Sequence, residues 1–301
     1  MQPTRATRSA LLLFAAHALV LLAACSQESP YTPEYGDTAA SIRRVYRFGV
    51  HPLHNPQRLA EVYGPIVDYL NRNLEGVSLL LEASRSYEDF DRKLYSRQFH
   101  FALPNPYQTL NSLVSGYRVF GKMGDDSRFR GILLVRRDGG ISTVADLKGK
   151  VVSFPAPTAL AATMMPLYYL HTHGLDANHD VDRLFAGSQE SSIMSVYLGK
   201  SAAAATWPPP WEAFQRNQPA VAEELAVRWE TEPLVNNGLV VRDDVPPELV
   251  ERVGALLFAL HTHPEGARLL AEVPLSRFEP ASEGTYAPVR EFLEIYGKDI
   301  Q

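Results

Sequence analysis

The feature that most constrains the fold of this chain is a regular alternation of short β-rich runs with longer stretches that carry apolar residues at helical spacing. A period of two residues indicates a strand, and a period of 3.6 indicates an amphipathic helix. The order strand, helix, strand, helix, strand predicts parallel strands joined by helical crossovers, with helices covering the sheet. The first series has strands over 46–50, 77–82 and 99–103 and helices over 56–74 and 87–97.

A further predicted strand over 131–136 leads through the turn sequence Asp138-Gly139-Gly140 into a second alternating series. The predicted strands of that series cover 151–154, 181–185 and 202–206, with helices over 158–172 and 190–198. A returning strand over 238–241 precedes three closing helices over 246–261, 264–272 and 283–296. The pattern predicts an α/β chain that builds one lobe, crosses to a second lobe and returns to the first.

The first 24 residues have the pattern of an export signal. Arg5 and Arg8 precede an apolar run over 10–24 that is too short to span a bilayer comfortably. The run ends in Leu22-Ala23-Ala24-Cys25, which resembles the bacterial lipobox, and Cys25 is the only cysteine in the chain. We therefore predict a lipoprotein signal peptide over 1–24 and lipidation of Cys25. The alternative is an ordinary secretory signal with an incidental cysteine.

Residues 25–43 are polar and contain two prolines and a glycine, which predicts a flexible tether between the anchor and the folded body. Without Arg5 and Arg8, the chain has 27 lysines and arginines against 34 aspartates and glutamates, a formal charge near −7. This acidity argues against nucleic acid or an anionic membrane surface as a partner.

Five segments, in their order and spacing, resemble the phosphate/phosphite/phosphonate-binding branch of the periplasmic solute-binding proteins, the PhnD/SsuA/transferrin-like family. They are FGVHPLHNPQRLAEVYGPIVDYLN, FALPNPY, RGILLVRRDGGISTVADLKGKVVSFPAPT, FAGSQESSIMSVYLGKSAAAAT and NNGLVVRDDVPPELVERV. The resemblance implies a type II periplasmic-binding-protein fold, in which crossover strands join two α/β lobes around a ligand cleft. It implies that residues 44–131 and 239–301 form lobe one and that residues 132–238 form lobe two.

Four loops follow predicted strands and are candidates for the walls of the cleft: 51–55, 105–107, 157–159 and 187–189. In open α/β sheets, ligands bind beyond the carboxyl ends of the strands, where helix starts present free N–H groups. Each loop taken alone is better explained as a helix cap, and only the convergence of all four loops in one cleft favours ligand contact. The residues that we expect to contact the ligand are His51, His54, Asn105, Tyr107, Thr158, Ser188, Gln189, Thr206, Trp207 and Asn237.

The chain departs from the pattern that the resemblance implies. The family's Ser-Thr-Ser-Gly run at the first helix of lobe two is Pro157-Thr158-Ala159-Leu160 here. A family histidine is replaced by Gln189, an aspartate by Asn237, and an acidic or asparagine-rich stretch by 206–211, which includes Trp207. Such a site should hold a phosphonate less tightly. Trp207 and Tyr107 would suit a planar organic solute, although both could equally be core residues.

The histidines raise the question of a metal site. His51 and His54 share one loop, while His171 with His173 and His261 with His263 form two His-x-His pairs. Both pairs fall at predicted helix C-terminal ends, where an imidazole commonly caps carbonyls, so we predict no metal site. The chain has no Gly-x-Ser-x-Gly, P-loop or Gly-x-Gly-x-x-Gly motif, so we expect neither enzymatic activity nor a cofactor.

These observations predict a monomeric, membrane-anchored, periplasmic solute-binding protein of an ABC importer. It would bind a small polar or anionic solute by lobe closure and deliver it to an ABC permease. The alternative is a ligand-sensing module that presents its closed form to a membrane signalling partner, because both uses depend on hinge closure. The anchor would lie in the cell membrane or the outer membrane, and Ser26 after Cys25 favours the outer membrane.

Overall fold

The computed structural model describes residues 43–300. The predicted signal peptide, Cys25 and all of the predicted tether except its last residue lie outside the described residues. Among residues 43–300, no helix has the length and apolarity needed to cross a bilayer.

Eleven strands form two separate sheets within the described residues. They are β1 (Arg44–Val50), β2 (Val77–Glu82), β3 (Phe101–Leu103), β4 (Tyr117–Met123), β5 (Ile132–Arg136), β6 (Lys150–Phe154), β7 (Val181–Phe185), β8 (Ala203–Thr206), β9 (Leu225–Glu230), β10 (Gly238–Arg242) and β11 (Phe278–Pro280).

The α-helices connect these strands and cover the sheets. They are α1 (Pro56–Asn73), α2 (Tyr87–Tyr95), α3 (Pro106–Leu113), α4 (Met165–Thr172), α5 (Gln189–Tyr197), α6 (Pro208–Asn217), α7 (Pro219–Glu223), α8 (Pro247–Ala259), α9 (Pro264–Glu272) and α10 (Ala287–Asp299). A π-helical turn over Leu160–Met164 leads into α4, and 3₁₀ turns cover Asp126–Arg128, Val144–Leu147, Leu260–Thr262 and Glu283–Tyr286.

The first sheet has the strand order β11-β4-β10-β3-β1-β2. Strand β1 pairs in parallel with both β2 and β3, as the alternating pattern predicts, whereas β10 runs antiparallel between β3 and β4. The second sheet has the order β7-β6-β8-β5-β9, in which β6 is parallel to β7 and β8 while β5 is antiparallel to β8 and β9. Each sheet therefore contains one central antiparallel strand, β10 or β5, that adjoins a crossover between the sheets.

Two crossover segments, 124–131 and 231–237, join the sheets and are hydrogen-bonded to each other. The Asn236 backbone N–H donates to Asp126 Oδ1 at 3.0 Å, and its side-chain amide donates to the Gly124 carbonyl at 2.7 Å. The Leu234 N–H donates to the Phe129 carbonyl at 2.9 Å. This pairing gives the two lobes a common hinge.

The apolar core of the first sheet continues across the cleft. It includes Ala159, Leu160, Ala161 and Met165 from the segment after β6, together with Trp207 after β8. The second sheet has its own cores, one on each face, with Phe154 in one and Trp211 in the other. The two lobes are thus in direct apolar contact in this conformation.

The predicted strands are confirmed within one or two residues at each end. The predicted helix over 158–172 differs, because its first turn is π-helical. The α-helix α4 begins only at Met165, and Pro166 lies in its first turn, where the missing N–H costs no intrahelical bond. His263 also departs from its predicted position, because it is the N-cap of α9 and its Nδ1 accepts from the Gly266 N–H at 3.1 Å.

Candidate ligand site between the two sheets

A small cavity, the inner cavity, lies where the carboxyl ends of strands from both sheets meet. Residues from both lobes line it: His51, Tyr87, Asn105, Phe129, Ala159, Leu160, Ala161, Ala162, Gln189, Trp207 and Asn237. Its free volume is about 10 Å³, close to the least that holds one water molecule. All of its lining side chains are buried amide, imidazole, phenol, indole or apolar groups.

His51 follows β1 and is almost fully buried. Its Nδ1 lies 3.0 Å from the Leu103 carbonyl oxygen, which can only accept, so Nδ1 carries the proton in this contact. Burial lowers the pKa of His51 to about 4, although the carbonyl contact opposes the shift. At neutral pH the ring is therefore uncharged, and its Nε2 is a hydrogen-bond acceptor.

Asn237 lies at the start of β10 and has no exposed surface. Its Oδ1 has no hydrogen-bond donor among the described residues, and its Nδ2 is 3.4 Å from the Met123 sulfur, a weak acceptor. A buried polar atom without a partner costs about 1–3 kcal/mol of folding stability. The amide of Asn237 is therefore available to a hydrogen-bonding group in the inner cavity.

The π-helical turn before α4 contributes backbone to the same cavity. Its N-cap, Ala159, makes no side-chain cap, and the Met164 N–H donates to the Ala159 carbonyl at 3.3 Å, five residues back. The N–H groups of a first helical turn have no carbonyl within the helix to bond. Leu160, Ala161 and Ala162, which line the cavity, belong to this turn.

Side-chain hydrogen bonds connect the lobes beside the inner cavity. The Gln189 side-chain amide donates to the Tyr87 hydroxyl at 3.1 Å and accepts from the Thr206 hydroxyl at 2.8 Å. The Asn105 amide donates to the Thr158 carbonyl at 2.8 Å, while its Oδ1 accepts from the Gln108 N–H and caps α3. These amides therefore hold the lobes together.

Thr158 also bonds to the carboxylate of Asp91 from lobe one. Burial raises the pKa of Asp91, and hydrogen bonds from Gln108 and Thr158 oppose that shift. Thr158 is therefore occupied by lobe-one partners through both its hydroxyl and its carbonyl.

A second space, the outer chamber, lies at the mouth of the cleft and has about 350 Å³ of free volume. It lies between α1, the start of α5, and α6. It is lined by Leu53, His54, Asn55, Gln57, Arg58, Glu61, Ser188, Gln189, Glu190, Pro210, Ala213, Phe214, Asn217 and Gln218. Gln189 is the one residue among these that also lines the inner cavity, so it forms part of the wall between the two spaces.

The outer chamber is polar at its entrance. Burial lowers the pKa of His54 to about 4, helped by the nearby charges of Arg58 and Arg216, so this ring is also neutral at pH 7. Ser188 caps α5 by accepting from the Ser191 N–H at 3.1 Å. Arg58 pairs with Glu61 at 3.2 Å.

Of the ten residues predicted to contact ligand, seven line one or both of the two spaces and three do not. His51, Asn105, Gln189, Trp207 and Asn237 line the inner cavity, and His54, Ser188 and Gln189 line the outer chamber. Thr206 and Thr158 bond to protein groups behind the cavity, and Tyr107 packs against the core of the first sheet. Trp207 is buried edge-on against Phe129, with ring centroids 5.5 Å apart, and is not an open stacking surface.

Tyr87 and Phe129 line the inner cavity although the sequence did not single them out. Tyr87 follows the N-cap Ser86 in the loop after β2, which ends at the same edge of the sheet as β1 and β3. The rule about carboxyl strand ends, applied to β2 as well, would have found it. Phe129 lies in a crossover segment, for which the sequence gives no comparable signal.

Within the described residues, no group of three or more His, Cys, Asp or Glu side chains is arranged to hold a metal ion. One histidine of each His-x-His pair makes a local contact instead. His173 Nδ1 lies 2.7 Å from the Tyr169 carbonyl, and His263 Nε2 lies 3.1 Å from the Tyr69 hydroxyl.

Comparison with known proteins gives a family match and many structural matches. The model of the ABC transporter phosphonate periplasmic substrate-binding protein family matches residues 48–286. No curated protein sequence matches the chain significantly.

Three solved structures illustrate the likeness. The binding component of a phosphonate ABC transporter from Pseudomonas aeruginosa is 16% identical with a TM-score of 0.78, covering 85% of this chain and 88% of its own. PhnD1 from Prochlorococcus marinus, solved with methylphosphonate, is 18% identical with a TM-score of 0.78, covering 85% and 99%. The aliphatic sulphonate-binding protein SsuA from Escherichia coli is 14% identical with a TM-score of 0.58, covering 85% and 87%. At these identities the likeness concerns the fold, and it confirms the predicted two-lobed α/β architecture.

Proposed function

Since the chain belongs to the family of periplasmic substrate-binding proteins of phosphonate ABC transporters and has a solute-binding role in import, we propose that its solute binds in the interlobe cleft. Binding would close the lobes over the solute, and the closed form would be delivered to an ABC permease. The unpaired Oδ1 of Asn237, buried between the lobes, carries this proposal.

The polar groups around Asn237 specify a solute that both donates and accepts hydrogen bonds. Asn237 Oδ1 and His51 Nε2 are acceptors, so they require a hydroxyl, amide or protonated acid on the solute. The backbone N–H groups of the turn at Leu160 suit a carbonyl or an acid oxygen. Because the side chains that line the inner cavity are neutral at pH 7, a neutral or singly charged polar solute fits better than a dianion.

We further propose that this protein acts by binding alone and has no enzymatic activity. The two amide side chains beside the inner cavity, Gln189 and Asn105, are bonded to Tyr87, Thr206 and Thr158 across the cleft, which supports a role in lobe closure. The protein would act as a monomer outside the cytoplasm, held to a membrane through lipid on Cys25.

The replacement Asn237→Leu tests the proposed site. Leucine has a similar volume and removes an amide whose oxygen is unpaired, so we expect an unchanged or higher Tm together with at least a tenfold loss of affinity. The measurement is a thermal-shift screen followed by calorimetric titration with phosphate, phosphite, alkylphosphonates, alkylsulfonates and polar heterocycles.

Gln215→Leu, which replaces an exposed amide on α6, is the matched control and should bind as the unmodified protein does. If no compound in the screen binds, the proposed function is wrong. If a compound binds equally well to Asn237→Leu, the assignment of Asn237 is wrong while solute binding stands.

A further inference from the structure

The two spaces in the cleft differ in the size of the group that each can admit. The inner cavity has about 10 Å³ of free volume and the outer chamber about 350 Å³. A tetrahedral oxyanion has four atoms around a centre and is several times larger than one water molecule, for which the inner cavity barely has room. The outer chamber, in contrast, has the size of an ordinary small-molecule site.

The inner cavity is small because bulky side chains fill it. Trp207 and Phe129 meet edge to face, and Leu160 is fully buried among residues of the core that crosses the cleft. Gln189 closes the outward side through its bonds to Tyr87 and Thr206. Enlarging the inner cavity would require separating apolar surfaces that are now in contact, at a cost of about 25 cal/mol per Å² exposed.

We propose that the body of the solute occupies the outer chamber and that at most a one-atom polar terminus passes Gln189 into the inner cavity. This inference rests on the proposed function and specifies its substrate class: organic solutes with a body of several heavy atoms, not bare phosphate-sized anions. The chemistry of the wall agrees with that class. Leu53, Pro210 and Phe214 offer apolar contacts, while the amides of Asn217 and Gln218 offer hydrogen bonds.

The test fills the outer chamber without altering the inner cavity. Ala213 lines the chamber from α6, so Ala213→Trp reduces its volume, while Gln215→Trp places the same side chain on the exposed face of the same helix. Ala213→Met is a second, more flexible filling variant in case the tryptophan disturbs folding, and the Tm of each variant is measured first.

Titrations use two series of probes, phosphate with methyl-, propyl- and phenylphosphonate, and sulfate with methyl-, propyl- and phenylsulfonate. In the unmodified protein and in Gln215→Trp, we expect the longer members of at least one series to bind at least tenfold more tightly than phosphate, sulfate or the methyl compounds. In Ala213→Trp and Ala213→Met that gain should disappear.

The inference is overturned if the smallest anions bind as tightly as any longer probe, or if binding of the longer probes is insensitive to both Ala213 variants. Either result would leave the proposed function intact and would assign the solute to the inner cavity instead of the outer chamber. Absence of binding by every probe in both series would overturn the inference together with the proposed function.

Discussion

His51 and Asn237 face the same inner cavity, and each is fully buried while uncharged at neutral pH. Burial disfavours the charged form of His51, and the unpaired acceptor Oδ1 of Asn237 is unfavourable in the folded protein. Stability and recognition therefore act in opposite directions at these two residues. For His51, the opposition becomes measurable through pH.

Lowering the pH should destabilise the protein through His51. Burial lowers its pKa from 6.5 to about 4, so between those values the unfolded chain binds more protons than the folded chain, and stability falls as the pH falls. The full loss is about 3 kcal/mol. Urea unfolding at pH 7, 6 and 5 should show a smaller loss in His51→Gln than in the unmodified protein.

His54 is the matched comparison, because its pKa is also lowered to about 4 by burial and by Arg58, His51 and Arg216. His54→Gln should remove a further part of the pH dependence, and the double variant should retain the part that the carboxylates and His100 contribute, since burial also lowers the pKa of His100. Identical pH profiles for all four proteins would contradict a neutral buried His51.

For single residues, the sequence predicts which of them lie at the cleft better than it predicts which groups their side chains contact. His51, Asn105 and Asn237 could be selected because they follow or precede strands at the cleft edge. The contacts of Thr158 with Asp91 and Asn105 could not be predicted from the sequence. Both partners are more than fifty residues away from Thr158 along the chain. The assignment of ligand contacts within the selected set stays a prediction.

Among the elements, the turn from Ala159 to Met164 shows how backbone geometry shapes the site. Its π-helical form places Leu160–Ala162 along the inner cavity. Gly131, in a crossover segment, lies against the same turn. A Cβ atom at Gly131 would be 2.5 Å from the Ala161 carbonyl oxygen and 2.7 Å from the Pro166 ring.

Gly131→Ala should therefore destabilise the protein by about 1–3 kcal/mol, because neither the backbone carbonyl nor the proline ring can move away freely. Gly297→Ala is the control. A Cβ at Gly297 has nothing within 4 Å and lies within α10, so alanine should stabilise by roughly 0.5–1 kcal/mol. Chemical denaturation measures both, and equal effects of the two substitutions would contradict the close packing at Gly131.

The elements of the two alternating series could be predicted, whereas most of the elements between and after them could not. The sequence did not predict β4, β9, β11, α3, α6 or α7. For α3 the signals were present, since Asn105, Pro106 and Gln108 form an N-cap, a first-turn proline and a capping box. The edge strands β9 and β11 are specified by pairing with β5 and β4, which is information from elsewhere in the chain.

For the whole molecule, the family and the two-lobed α/β fold could be predicted from the order and spacing of segments along the chain. The degree of closure could not, because it depends on contacts between lobes such as Gln189 with Tyr87 and Asn105 with Thr158. The lobe boundaries at 131 and 239 stay a prediction, as does the anchor at Cys25.

Replacing Cys25 by serine tests the anchor. Residue 25 lies outside the described residues 43–300, and we expect the body to keep its Tm while the protein moves from membrane to soluble fractions. Ser26→Ala is the control and should remain with the membrane. Membrane attachment of Cys25→Ser that resists high salt would show that the lipid anchor is absent or lies elsewhere.

The position of β10 has a consequence for how the chain folds. This strand sits between β3 and β4 in the first sheet, yet it begins at Gly238, after β5 to β9 have all been added to the second sheet. Among the described residues, β4 pairs only with β10 and β11. Both strands lie more than a hundred residues later in the chain, so β4 cannot pair in the sheet until they are in place. Such distant pairing raises contact order and slows folding. We expect the second lobe to form its native contacts first, and the first lobe to complete folding around a partner that already exists.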